Sequence, residues 1–295
     1  ALVTFSLALG SRRMLAENAL VRSLPVVEAL GSVNAIVTDK TGTLTEGVMT
    51  VRNIYTSHAD HSVTGTGTSN DGDIEADTDD RVIQELLRCG TVCNNAERTD
   101  DSWLGDPTEI ALKVSAEKAG VSDTADRAQT IPFSSNRKRM TVITEDGTAY
   151  MKGAPSTVLS RCDKILVNGE TRELTEDDKE RIRQQNSAYA SDALRVLGFA
   201  TKAVSDVDFE DEASIESEMV FLGLQAMRDP PRSEVKDAVS DCRTAGIDVV
   251  MATGDNLETA KAIGAKLGFD ADKAVDGKRV ETASDAELAR LVNHV

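Results

Sequence analysis

Apolar positions along the chain alternate between two periods, and the changes of period divide it into elements. Residues 33 to 38 form a short apolar run that reads as a buried strand. Residues 81 to 89 and 108 to 119 have helical spacing. In the second, Asp106 fits an N-cap, Pro107 the first turn and Glu109 a capping-box position. Residues 140 to 153 alternate around Asp146-Gly147, which predicts a hairpin. Residues 176 to 190 read as a helix and 194 to 204 as a strand. Val235, Val239 and Cys242 place a helix over 232 to 245, stopped by Gly246. A second apolar strand follows at 247 to 253. A helix then runs to Gly268 with Leu257, Ala260, Ile263 and Leu267 inward. Two polar stretches interrupt the pattern. Residues 58 to 80 read as an exposed loop or hairpin, and the acidic run 205 to 218 as a solvated loop.

Strand, loop and helix follow one another at both ends, the habit of a parallel α/β sheet. The middle, with its hairpin and alternating strands, looks like an antiparallel α+β insert. The expected organisation is therefore an entry segment over 1 to 32 and a parallel sheet begun by 33 to 49. An insert over 50 to 227 interrupts that sheet, and 228 to 295 returns to it. No internal repeat is visible.

Composition narrows the classes. With 295 residues, 40% of them hydrophobic, packed cores are affordable in more than one domain. Fifty acidic against 33 basic residues give a net charge of -17, which repels phosphate backbones and argues against nucleic acid partners. Such a surface also suits a salty cytoplasm, which implies a melting temperature that rises with added KCl. The cysteines, Cys89, Cys93, Cys162 and Cys242, form no C-x-x-C pair and read as buried small apolar residues. The opening "ALVTFSLALG" spans only about 15 Å as a helix, half a bilayer core. It is either a short core helix or the last half of a membrane span, with Arg12 and Arg13 on the cytoplasmic side.

Candidate chemistry sits where two strands end. Open parallel sheets bind ligands beyond the carboxyl ends of their strands. One strand here delivers Asp39, the other Thr253-Gly254-Asp255-Asn256. Carboxylates, hydroxyls and glycine-opened backbone are what phosphoryl transfer needs, with oxygen ligands for Mg²⁺. Asp39 is then a nucleophile toward the γ-phosphate of ATP.

These residues carry a resemblance. "DKTGTLT" (39 to 45) resembles the signature of P-type ATPases, ion pumps that phosphorylate this Asp. "FSSNRKRM" (133 to 140) is similar to the family's adenine-contact segment and "MKGAP" (151 to 155) to its nucleotide-domain motif. "RDPPR" (228 to 232) resembles the hinge, and "TGDN" (253 to 256) the second phosphate loop. Residues 7 to 31 resemble the stalk after the fourth membrane span in the calcium-type branch. The resemblance covers essentially the whole chain. It implies a haloacid-dehalogenase-like, Rossmann-like parallel sheet, incomplete at its C-terminus, interrupted by an α+β nucleotide-binding domain. It also implies a cytosolic location for this segment within a multi-pass membrane protein.

By position the resemblance implies a catalytic set of Asp39, Lys40, Thr41, Thr253, Gly254 and Asp255, with Asp39 and Thr41 holding Mg²⁺. Glu109, Phe133, Lys138, Lys152, Gly153 and Arg195 would line the ATP pocket, with Phe133 on adenine, and Asp229 would sit at the hinge. Plainer roles stand beside these. Asp255 and Glu109 could be helix caps, Phe133 a core aromatic, Lys138 and Lys152 solvated lysines, and Arg195 a surface residue. Ser135 stands where relatives often place a basic residue, and Ser156 where many have Glu.

The family's later phosphorylation-site Lys, its G-D-G-x-N-D segment and its T-G-E-S loop do not occur in these 295 residues. The expectation is a cytosolic core that binds ATP and phosphorylates Asp39 feebly or not at all. The transported ion would be Ca²⁺ by resemblance, with Na⁺/K⁺ or H⁺ open. Two other readings remain: a soluble phosphatase of the haloacid dehalogenase superfamily, and a nucleotide-binding module without catalysis. The first commonly has a second Asp two positions after the nucleophile, where this chain has Thr41.

Overall fold

The computed structural model describes residues 2–57, 59–100, 102–122, 125–204, 211–255 and 257–292. Two sheets organise the chain. The smaller is a parallel pair, Ala35–Asp39 beside Asp248–Ala252, with Ala35 opposite Asp248 and Asp39 opposite Ala252; the first strand, expected to be buried, is largely exposed, Val37 to 72%. Helices Val235–Thr244 and Leu257–Lys266 pack near it. They bury Val235, Val239, Ile263 and Leu267 around Leu44.

The larger sheet has nine strands. Across it run Glu170–Glu173, Cys162–Val167, Met219–Arg228, Arg195–Ala203, Thr148–Gly153, Arg139–Thr144 and Arg127–Ser134. Strand Thr50–Thr56 pairs with the later half of Met219–Arg228 and carries Ala59–Ser62 on its other edge. Most neighbours are antiparallel. Met219–Phe221 runs parallel to Cys162–Ile165, so the sheet is mixed rather than purely antiparallel. Glu97–Arg98 and Trp103–Leu104 form a separate small hairpin.

This sheet is covered on both faces. Helices Arg81–Val92 and Pro107–Lys118 pack on one side over Val142, Tyr150, Phe199 and Leu222. Helices Pro155–Leu159 and Glu176–Ser191 pack on the other over Met151, Ala200, Phe221 and Leu224. Successive residues of one strand therefore enter opposite cores. That is why Met219–Leu224 reads as an apolar run without alternation, a pattern that periodicity alone does not distinguish from a buried helix. That strand, Thr50–Thr56, Arg127–Ser134 and the pair at 162–173 are elements the sequence pattern did not predict.

Other expectations need correction. The polar stretch after residue 57 takes the hairpin alternative, with Ala59–Ser62 pairing to Thr50–Thr56, but it is not wholly exposed: Val63 bridges to Ile74 and both side chains are buried. His58 of that stretch lies outside the described residues. Residues 205–210 of the acidic run lie outside them too, but the rest is not simply solvated. Glu212–Ile215 makes one helical turn, and Ile215 and Glu216 are buried. The core-helix reading of the N-terminus also fails. Helix Leu2–Ala16 meets helix Leu24–Leu30, Phe5 is 65% exposed, and among the described residues neither helix contributes a side chain to a hydrophobic core. No helix among the described residues is long and apolar enough to cross a membrane. Cys89, Cys93 and Cys162 are buried as expected, and Cys242 is half-buried. Burial pushes the Cys93 thiol up to about 11.

Candidate functional site: two strand-end loops and one end of the large sheet

Asp39 ends its strand exposed. The chain then winds through one wide turn, Lys40–Leu44, closed by the Thr45 N–H donating to the Lys40 carbonyl at 3.0 Å. Gly42 has φ +74, a left-handed conformation that costs glycine nothing and would strain any residue with a Cβ. Thr41, Gly42 and Thr43 stay exposed around Asp39, while Lys40 turns inward and is buried.

Because Ala252 is the ladder partner of Asp39, Thr253, Gly254 and Asp255 emerge beside it. Asp255 meets Lys40 there, Nζ to Oδ2 at 2.6 Å. The Asp255 backbone N–H donates to Thr253 Oγ1 at 3.1 Å. The helix-cap reading of this loop turns on residue 256, and Asn256 lies outside the described residues.

Asp229 ties this loop to the larger sheet. Its Oδ2 accepts from the Thr45 hydroxyl at 2.6 Å, and its Oδ1 from the Gly47 and Val48 N–H groups at 2.8 and 3.2 Å. Glu46 donates to the Pro230 carbonyl and Arg232 to the Leu44 carbonyl, each at 3.0 Å. The two strands that connect the sheets are thus bonded to each other, with one carboxylate at the crossing.

The remaining residues gather at one end of the nine-stranded sheet. Register sets Arg139 beside Gly153 and Gly153 beside Gly198; Arg195 then pairs with Met227, and Met227 with Val51. Lys138, Gly153 and Arg195 therefore lie at the end where the chain enters at Thr50 and leaves at Arg228. Phe133 lies at the same end and is 62% exposed, which overturns its reading as a core aromatic. Lys138 and Arg195 are exposed as well.

Lys152 is not a solvated lysine. It is 7% exposed and donates to Glu109 Oε1 at 2.6 Å. The other Glu109 oxygen accepts the Asn95 N–H at 3.2 Å. The capping box expected at Glu109 does not form. Asp106 alone caps that helix, accepting from the Thr108 N–H at 2.8 Å, and Glu109 turns to the lysine instead. The carboxylate, itself partly buried, satisfies the buried ammonium and fixes the lysine against the helix.

Among the described residues no three His, Cys, Asp or Glu side chains converge as a metal cluster. Mg²⁺ needs less, because it keeps waters and substrate phosphates and often takes one or two carboxylates. The exposed Asp39 carboxylate, with the Thr41 backbone next in the loop, fits that mode.

The family described as P-type ATPase, cytoplasmic domain N, matches residues 82–234. Over the whole chain there is 41% identity to calcium-transporting ATPase 1 of Bacillus cereus, covering 33% of that protein. Cation-transporting ATPase pma1 of Synechocystis is 39% identical over 98% of the chain and 35% of its own length. Human calcium-transporting ATPase type 2C member 1 is 35% identical over 99% of the chain. The chain belongs to the P-type ATPase family. It spans about a third of the length of the curated relatives it matches.

Proposed function

We propose that residues 50–227 bind ATP and that Asp39 accepts its γ-phosphoryl group, within a protein that couples this reaction to cation transport across a membrane. The names of its relatives favour Ca²⁺ as the cation. The observation that carries the reading is the buried Lys152–Glu109 pair, set at the sheet end that also holds Phe133, Lys138, Gly153 and Arg195. A lysine fixed by a carboxylate at the sheet end that also carries an exposed aromatic ring suits a nucleotide, with adenine on Phe133 and cations toward the phosphates.

In this reading the parallel pair belongs to a haloacid-dehalogenase-like sheet, 33–49 and 228–295 form the phosphorylation domain, and residues 1–32 form the end of a membrane span and the cytosolic stalk. A carboxylate oxygen of Asp39 bonds the γ-phosphorus as the bond to the bridging oxygen breaks, leaving ADP and an aspartyl-phosphate. Thr253 and Gly254 face the phosphoryl oxygens. Lys40, held by Asp255, supplies positive charge at the base of the loop. Mg²⁺, when bound by Asp39 and the Thr41 carbonyl, neutralises charge on the transferring group. Asp229 keeps the loop in register with the nucleotide domain.

Calorimetric titration with ATP tests the pocket. The chain should bind ATP, and Phe133→Ala should weaken binding by about 1–3 kcal/mol, the worth of a base stacked on an aromatic ring. Asp39→Asn should leave affinity nearly unchanged. No binding by the unmodified chain, or full affinity in Phe133→Ala, overturns the assignment.

A further inference from the structure

The acidic run before Met219 contains one residue that does not belong to a solvated face. Glu216 is 1% exposed, and its carboxylate is fully engaged. One oxygen accepts from Arg137 and, at 2.6 Å, from the buried Thr141 hydroxyl. The other accepts from Arg139 Nε at 2.7 Å and Nη2 at 2.6 Å. All three donors lie within or just after the Phe133–Met140 segment.

These bonds reach the turn itself. Arg137 also donates to the Pro132 carbonyl at 3.1 Å, the residue before Phe133. Inside the turn the Lys138 N–H donates to the Ser134 carbonyl at 2.7 Å, and Lys138 adopts φ +54. A lysine held in that left-handed conformation persists only where its surroundings over-determine it. The Ala154 N–H fixes the Lys138 carbonyl from the other side at 2.9 Å. Glu216 is in turn pegged in place. Its neighbour Ile215 is buried against Ile131, Ile143 and Ala149, and Lys202 donates to the Ser214 and Ser217 carbonyls, each at 2.9 Å.

We infer that Glu216 is a positioning residue for the nucleotide: through Arg137, Arg139 and Thr141 it locks the Phe133–Lys138 turn so that the exposed Phe133 ring is presented to the base. It is itself too buried to touch a ligand. This inference rests on the reading that the turn contacts ATP. A preorganised ring binds more tightly because the ordering cost is met before the ligand arrives.

The test is a double-mutant cycle with ATP affinity and thermal midpoint both recorded. Glu216→Gln should weaken ATP binding about tenfold, the scale of one lost charged hydrogen bond. In the Phe133→Ala background the same change should cost less than about twofold, because the group being positioned is gone. Its effect on the thermal midpoint should be equal in both backgrounds. If Glu216→Gln does not fold, Thr141→Val removes one bond to the same carboxylate and should show the same non-additivity. An affinity unaltered by Glu216→Gln, or a loss of equal size with and without Phe133, refutes the positioning role. Failure of the unmodified chain to bind ATP refutes the nucleotide reading and this inference with it. Phe133-dependent binding that ignores Glu216 refutes this inference alone.

Discussion

A methyl group at position 153 has no room. Built on Gly153, it would lie 2.4 Å from the Lys138 carbonyl oxygen and 2.7 Å from the Arg139 Cβ. Neither neighbour is a flexible side-chain end, so the two strands must part at this end of the sheet. Gly153→Ala should destabilise the chain by about 1–3 kcal/mol, in the range for overpacking, and weaken ATP binding, because it displaces the carbonyl that fixes the Phe133 turn. Gly254→Ala is the control: nothing lies within 4 Å of its Cβ, so the midpoint should not move. Equal midpoints for Gly153→Ala and the unmodified chain would show that the strands yield without cost. The sequence marked both glycines through their motifs but gave no means of separating them, since close approach is made by strands distant in the chain. Burial was hidden in the same way. Lys152 and Glu216 look like surface residues until partners distant in sequence, Glu109 and the Arg137–Arg139 pair, are brought against them. The flanking Ile215 and Met219 were the one available hint at Glu216, an apolar spacing at odds with a solvated loop.

Elements that begin with a strong local signal were legible. Helix Glu176–Ser191 starts at a capping box in which Thr175 and Asp178 satisfy each other's backbone groups. Asp178 goes further than a cap. Buried beneath the helix start, it accepts from Arg172 at 2.6 and 3.0 Å and from Arg181 at 2.7 Å. The Arg172 bonds, then those of Thr175 and Arg181, hold its carboxyl well below the usual carboxylate range. A depressed value means that the ionised form stabilises the fold. That contribution is complete above the ordinary value of 3.8 and fades as pH falls through the depressed one. Asp178→Asn should therefore cost about 1–3 kcal/mol at pH 7 by the worth of hydrogen bonds to a charged group. Denaturant midpoints of variant and unmodified chain should converge only below about pH 4. A gap that closes between pH 7 and 5 would assign the effect to another group. Elements buried on both faces, such as Thr50–Thr56 and Met219–Arg228, had no alternation to betray them.

At the scale of the molecule, the sequence pattern leads to the expectation of an insert within a parallel sheet, and the ladder shows where the large sheet's chain enters and leaves. Thr50 pairs with Arg228, so the large unit begins and ends at one place. Asp229 then clasps Gly47 across 182 positions of chain. This clasp also has a bearing on the order of folding. In the unfolded chain, bringing Ala35–Asp39 to Asp248–Ala252 means closing a very long loop for a few ladder bonds, at an entropic cost that grows with loop length. Once the nine-stranded sheet has formed, the same encounter joins two tethers already side by side, and the loop is effectively short. We therefore expect the large sheet to be the nucleus and the Asp39 strand to dock late. Pulse-labelled hydrogen exchange during refolding should show amides of 219–228 protected before those of 35–39. The reverse order would mean that the parallel pair assembles without help from the insert. On this view the Asp39 loop is the last part of the chain to acquire its shape, and a slow phase in refolding would report on it directly.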